Sequence, residues 1–280
     1  MQKLITIIGG YGQMGLLFTK LWQQQGLNVQ SLDKDDWDNA STILQNSDLV
    51  VICVPINTTL NIINQVGIHL KTSTILADFT SVKTEPIEAM LKVHTGAVLG
   101  LHPMFGPTIE NPDKQVVINC GGRGDYQWVI NSISQMGFMV TDMDAKTHDT
   151  AMDFIQGIEH FSTFVLGSFL KANNQLPDNL FSLASPIYQT KLALMGRIFD
   201  QDASLYADII ASDKTRLDKI EEYSKYFSNW IAKLQLAKRD EFIDEFIATR
   251  KWMGEFTHHS QIATDEFLEN FTHKYTKKIT

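Results

Sequence analysis

Only two cysteines, Cys53 and Cys120, occur in the 280 residues, each in apolar, strand-like surroundings with no ligand-type spacing. Two isolated thiols build neither a disulfide framework nor a cysteine-based metal site, so they read as core thiols of a reducing compartment. Positive charge is also scarce. Lysine and arginine number 24 against 32 acids, a net charge of −8, and no basic cluster stands out. That balance argues against nucleic acid and against an anionic membrane surface as partners. An anionic ligand must then be captured by local cations, against the overall field. No apolar run reaches the roughly 18 residues of a membrane span. The first strand-like segment starts at Leu4, so no secretory leader is expected and the location expected is cytoplasmic. Internal repeats, low-complexity segments and long linkers are missing as well. His258-His259 has no further ligand at useful spacing, so no metal site is expected.

What is present begins with Leu4-Ile5-Thr6-Ile7-Ile8, a β-branched run that breaks into Gly9-Gly10-Tyr11-Gly12-Gln13-Met14-Gly15. The pattern G-x-G-x-x-G follows a strand and opens a helix, the context that gives it meaning. Gly10 is placed in a tight turn. Gly12, without a side chain, lets a diphosphate approach the backbone, and Gly15 lets the helix pack on the strand. The bare amides of Gln13, Met14 and their neighbours, at the positive end of that helix, face the phosphates. A second strand, Asn28 to Leu32, ends in Asp33, where a carboxylate accepts both ribose hydroxyls and repels a 2′-phosphate. The expected cofactor is NAD.

The length suggests two domains, and a hydrophobic content of 44% supports ordinary cores. Up to residue 145, short strands alternate with helices, which predicts a mainly parallel, doubly wound α/β sheet of the Rossmann type. Leu49 to Val54, Thr74 to Phe79, Ala97 to Leu101, Gln115 to Asn119 and Met139 to Met143 complete the strands. Ser81, Lys83 and His102 each follow a strand and so fall on the ligand side of such a sheet. From residue 146 to 280 the pattern is all-helical. Thr147 to Ala172 reads as one long helix, apolar around most of its circumference. Such a helix must be buried, and a small helical domain covers it only in part, so a homodimer through this region is expected.

Several residues stand out chemically. His102 lies in a loop stiffened by Pro103, Gly106 and Pro107, and suits a general base for a hydroxylated substrate. His160, on the long helix, shares a polar stripe with Asp153, Gln156, Gly157, Thr163 and Gly167 at helical spacing. That stripe either lines a pocket or surrounds a satisfied core histidine. Arg197 sits among apolar neighbours and calls for a carboxylate partner, either Asp200, Asp208 or a substrate.

These segments resemble the prephenate dehydrogenases over essentially the whole chain, and most of all the dehydrogenase half of the bifunctional chorismate mutase–prephenate dehydrogenases. The likeness rests on the glycine segment, Ser81-Val82-Lys83, Leu99-Gly100-Leu101-His102-Pro103-Met104-Phe105-Gly106-Pro107, His160-Phe161-Ser162-Thr163-Phe164, Ser185-Pro186-Ile187-Tyr188 and Gly196-Arg197-Ile198-Phe199. The resemblance implies NAD-dependent oxidative decarboxylation of prephenate to 4-hydroxyphenylpyruvate in tyrosine biosynthesis. It implies His102 and Ser81 as the catalytic pair, with Ser81 holding the histidine and the substrate hydroxyl. It implies Arg197, His160 and Lys83 as substrate-binding residues, and a dimer through the helical domain. The mutase segment that precedes the first strand in those proteins is not expected here. Two departures are Gln189 and Glu159, each standing where those proteins carry arginine, with Lys191 near the first. The competing readings are an arogenate dehydrogenase and an NAD-binding regulatory protein with impaired catalysis.

Overall fold

Seven strands form one sheet in the computed structural model, which describes every residue except 1, 35, 110 and 280; of residues 269, 270 and 272–279 only the backbone is described. They are β1 (Leu4–Ile8), β2 (Asn28–Leu32), β3 (Leu49–Ile52), β4 (Ile75–Asp78), β5 (Val98–Pro103), β6 (Val116–Arg123) and β7 (Met139–Asp142). Their spatial order is β2-β1-β3-β4-β5-β6-β7. Strands β1 to β5 run parallel, because helices cross between them: α1 (Gln13–Gln24), α2 (Ala40–Gln45), α3 (Ile56–Gly67) and α4 (Thr84–Val93). The connection from Met104 to Gln115 carries no helix among its described residues, and β6 accordingly returns antiparallel to β5. Helix α5 (Gln127–Gln135) then brings β7 in parallel to β6. The doubly wound Rossmann-type domain is therefore present, with an antiparallel step that strand alternation did not disclose.

Strand side chains divide by parity between two cores. Ile5, Ile7, Leu49, Val51, Ala77 and Leu99 pack with Phe18 and Trp22 of α1 on one face. Ile8, Val50, Ile52, Leu76 and Val98 pack on the other with Leu44, Ile63, Val66, Ile87 and Met90 from α2 to α4. Burial on both faces explains the unbroken apolar runs in β3 and β4. The register sets Ile8, Ile52, Asp78 and Gly100 side by side. The glycine turn after β1, the loop after β4 and the end of β5 are thereby brought to one edge of the sheet.

The chain divides into two units, residues 1–154 and 155–280. Helix α6 (Ala145–Met152) belongs to the first. The second is helical: α7 (Glu159–Ala172), α8 (Pro177–Leu183), α9 (Pro186–Phe199), α10 (Ala203–Ile210), α11 (Lys214–Gln235), α12 (Arg239–Met253) and α13 (Glu255–Ile279). The single helix expected over 147–172 is interrupted by a π-helical segment, Asp153–Ile158. A π turn holds more residues than an α turn, so the 3.6-residue period does not carry through it. Across this segment Asp153, Gln156 and Gly157 are nevertheless buried and His160, Thr163 and Gly167 half-buried, so the stripe drawn around His160 lies on an enclosed face, with its glycines in close packing. A Cβ on Gly157 would stand 2.8 Å from Arg216 Cγ, and one on Gly167 would stand 2.3 Å from a Phe199 ring carbon. The core of the second unit is small, centred on Leu170, Leu192 and Met195. Phe164, Val165 and Phe169 of α7, with Ile187, Leu194 and Phe199 of α9, stand exposed in the single chain.

Two glycines with the same backbone conformation predict different stability losses. Gly9 (φ +79°) has the Cys53 carbonyl oxygen 2.3 Å from where a Cβ would lie, whereas Gly26 (φ +78°) has nothing within 4 Å. Gly26→Ala then carries only the left-handed strain, about 1–2 kcal/mol, and Gly9→Ala adds about 1–3 kcal/mol of overpacking against backbone. Urea unfolding followed by tryptophan fluorescence checks this; equal losses would mean that the turn yields freely.

Candidate active site

β1 ends at Ile8, and the left-handed turn falls on Gly9, one residue before the position assigned to it from the motif. Gly10 is required for another reason: a Cβ there would stand 2.3 Å from Ser31 Oγ on β2. A Cβ on Gly15 would stand 2.5 Å from Gly9 O and 2.7 Å from Gly10 Cα, so α1 sits directly on the turn. Gly12 differs, since only Gly9 O, at 3.2 Å, comes near a Cβ built on it. The space before Gly12 is thus open. Gly12 is also the N-cap of α1 and supplies no side-chain cap to the first-turn amides, where Gln13 and Met14 begin the helix. An open helix N-terminus with uncapped amides is a cradle for phosphate. Asp33, just past β2, accepts from Lys34 N at 2.9 Å and from Tyr11 N at 3.4 Å. Its carboxylate therefore lies beside the turn, as a ribose-binding acid should. Gly10, Gly12, Gln13, Met14, Gly15 and Asp33 fit a dinucleotide of the NAD type.

The loop after β4 holds a buried ion pair. Lys83 Nζ donates to Asp78 Oδ2, both side chains being fully buried, and to Leu101 O at 2.8 Å. Burial raises the Asp78 carboxyl, and Lys83 pulls it back. Lys83 thus braces β4 against β5 from inside. This corrects its placement among the substrate-binding residues, since its ammonium is occupied within the fold. Ser81 Oγ is buried without a hydrogen-bond partner among the described residues. A buried hydroxyl of that kind costs about 1–3 kcal/mol.

His102 lies at the carboxyl edge of β5, 4% exposed. Its Nδ1 is hydrogen-bonded to His148 Nε2 at 2.8 Å, and His148 Nδ1 to Asp149 Oδ1 at 2.8 Å. Asp149 also accepts from Lys83 N and Thr84 N, at 2.8 Å each, at the start of α4. Burial works against its charge, but hydrogen bonds from His148, Thr84 and Lys83 prevail and hold its carboxyl at about 2. His148 thus holds the Nδ1 side of His102, a contact that the family resemblance did not name. Sequence reasoning missed His148 and Asp149 because they sit on a helix 46 residues from His102, with no motif around them. The available signal was an adjacent His-Asp pair at a helix start.

In the second unit, His160 packs edge-on against Tyr206, ring centroids 5.0 Å apart. Burial, helped by the Arg216 charge and opposed by Glu159, holds its imidazole below the ordinary value. His160 Nδ1 is buried without a partner among the described residues. Arg216 is fully buried, its guanidinium donating to Ile209 O at 2.5 Å. Arg197 near the end of α9 is exposed in the single chain rather than enclosed, and no hydrogen bond or ion pair ties it to a described residue. Asp200 and Asp208 are therefore not its partners. Tyr206 feels its charge, which opposes the upward push of burial on the phenol. Gln189 donates its amide to Phe181 O at 3.0 Å. Both thiols are held by burial at about 12, Cys53 with a contribution from Asp78, so neither is a nucleophile. Among the described residues no group of histidines, cysteines and acids forms a metal site, and no helix is long and apolar enough to cross a membrane.

Comparison with known proteins places these features in a family context. The chain matches the family model described as prephenate dehydrogenase, nucleotide-binding domain, over residues 21–117. It matches that of the prephenate dehydrogenase dimerization domain over residues 144–252. It is 43% identical to the T-protein of Haemophilus influenzae over 255 residues, covering 90% of this chain and 68% of the relative. The T-protein of Enterobacter agglomerans is 44% identical over 253 residues, with the same coverage. The fold is similar to that of prephenate dehydrogenase from Aquifex aeolicus, with a TM-score of 0.70 at 17% identity, covering 91% of this chain and 100% of that one.

Asp149 generates an acid-stability prediction. Its carboxyl lies at about 2, below the ordinary 3.8, so it stabilises the fold at neutral pH and loses that contribution as pH falls from about 5 to about 2. The shift corresponds to about 2 kcal/mol. Urea midpoints measured down this range should fall less steeply in Asp149→Asn than in the native chain. Parallel pH profiles would show that the carboxylate contributes nothing.

Proposed function

The chain belongs to the prephenate dehydrogenase family, and we propose that it converts prephenate to 4-hydroxyphenylpyruvate and CO2 by NAD-dependent oxidative decarboxylation. The observation that carries this reading is His102, a buried histidine held by a second histidine on the sheet edge that also bears the glycine turn. Gly10 to Gly15 and Asp33 would hold the dinucleotide. When bound, NAD supplies the hydride acceptor.

The remaining work falls to the chain's own residues. His102 accepts the proton of the ring hydroxyl as hydride leaves the same carbon, a task suited to an imidazole near neutrality. Loss of the ring carboxylate completes an aromatic ring, which drives the step. The unpartnered hydroxyl of Ser81 supports a role in holding the substrate hydroxyl. Arg197, with no acid partner among the described residues, supports bidentate capture of a substrate carboxylate. His160, kept neutral by burial, offers an unpartnered Nδ1 for a further hydrogen bond. We propose that the exposed apolar faces of α7 and α9 are covered in a homodimer, in keeping with the match to a dimerization domain.

The direct test is formation of reduced cofactor on mixing the protein with NAD and prephenate; absence of turnover with a folded protein overturns the reading. Two variations sharpen it. The Asp33 carboxylate should make NAD the better cofactor by more than about tenfold in kcat/KM, because a 2′-phosphate would meet a like charge; equal efficiency with NADP contradicts the role of Asp33. Arg197→Lys keeps the charge but loses the bidentate fork, so KM for prephenate should rise about ten- to a hundredfold with the KM for NAD unchanged. An unaltered KM for prephenate removes Arg197 from the site.

A further inference from the structure

With both rings neutral, the hydrogen bonds among His102, His148 and Asp149 admit one arrangement of protons. Asp149 is a carboxylate: two backbone amides at the positive end of α4 donate to it, and its carboxyl lies at about 2. Having no hydrogen to give, it must accept from His148 Nδ1–H across 2.8 Å. Neutral His148 then carries its lone pair on Nε2, where it accepts His102 Nδ1–H, also across 2.8 Å. Neutral His102 is left with its lone pair on Nε2. An isolated imidazole would divide between two tautomers, and only one of them accepts a proton at that atom.

We propose that His148 and Asp149 are positioning residues that set the tautomer of His102, so that Nε2 faces the chemistry as acceptor, and that they take up the positive charge as the hydroxyl proton arrives. This rests on the reading of His102 as the base. The substrate O–H bond breaks and a His102 Nε2–H bond forms. The His102 Nδ1–H bond then breaks and a His148 Nε2–H bond forms. The positive charge thereby reaches His148, against the Asp149 carboxylate, and His102 is neutral again. One proton enters and one moves on, so the balance needs nothing beyond the hydride acceptor of the reaction itself.

The charged and titratable groups that the described residues bring near the relay are otherwise engaged. On the β4 side, Asp78 and Lys83 neutralise each other. On β6, Cys120 remains a thiol, burial pushing it up to about 12. On α6, Asp144 is committed to capping its own helix through Thr147 N at 2.9 Å. His148 itself is fully buried, so water does not compete for its ring. The relay also gives Asp149 two tasks, since the same carboxylate that orients His148 anchors the start of α4.

Nitrogen-15 NMR of the native chain near neutral pH, with long-range couplings assigned to each histidine, reads the tautomers without any activity. The proposal expects both His102 and His148 as Nδ1–H; His102 as Nε2–H overturns it. Asp149→Asn then tests the consequence. An amide that donates to His148 Nδ1 inverts both rings and leaves His102 with Nε2–H. Turnover should fall about 10²–10⁴-fold, with the KM for NAD little changed and no recovery at alkaline pH, the behaviour of a base held in the wrong tautomer. Native-like turnover with a native pH profile in Asp149→Asn overturns the proposal. If Asp149→Asn fails to fold, His148→Phe supplies the same comparison from the other side of the bond. His102→Asn separates the two claims: full turnover there removes the base assignment, whereas the tautomer measurement on the native chain stands or falls independently.

Discussion

The Asp149 carboxylate is the point around which His102, His148 and the start of α4 are organised. It accepts from two amides at the start of α4 and from the ring of His148, so one side chain on α6 ties down a helix end and a histidine together. The helix end needs an anion, and the carboxylate needs donors to remain charged while largely enclosed. Through His148 the arrangement reaches His102 on β5, and so couples a sheet edge to two helices.

Charge is handled locally throughout. The chain is acidic overall, yet the cations that matter are placed one by one. Lys83 lies inside the fold against Asp78, where an unpaired ammonium would be very costly. Arg216 is likewise enclosed and bonded to a backbone carbonyl, and Gly157 gives its stem room. Arg197 alone among these three stays exposed, and no acid among the described residues pairs with it. His160 is kept below the ordinary imidazole value by burial and by the Arg216 charge, so it adds hydrogen bonding without adding charge.

The two units solve burial differently. The first covers a sheet on both faces, and strand parity alone sorts its side chains into two cores. The second has few buried residues and leaves large apolar side chains of α7 and α9 exposed. A helical layer with such faces is stable only when something covers them, and a second copy of the same surface is the economical cover.

Local pattern was enough for the strands, the glycine-rich segment that opens the first helix and the family. A strand period of two, a glycine cluster before a helix and an acid after the next strand are all written within a few residues of one another. Topology then placed Ser81, Lys83 and His102 at the ligand edge, because parallel strands share a carboxyl end. Four matters depended on contacts between distant parts of the chain. The turn conformation lies on Gly9 because the Cys53 carbonyl leaves no room for a Cβ, and the two are 44 residues apart. Lys83 turned inward because Asp78 and the Leu101 carbonyl offered its ammonium better partners than solvent. A π segment, Asp153–Ile158, interrupts a helix that the sequence displays without a break. The partner of His102 lay on a helix that no spacing rule connects to β5. Periodicity reports which face of an element is apolar, whereas the pairing of buried polar groups is settled only when elements meet and each donor must find an acceptor.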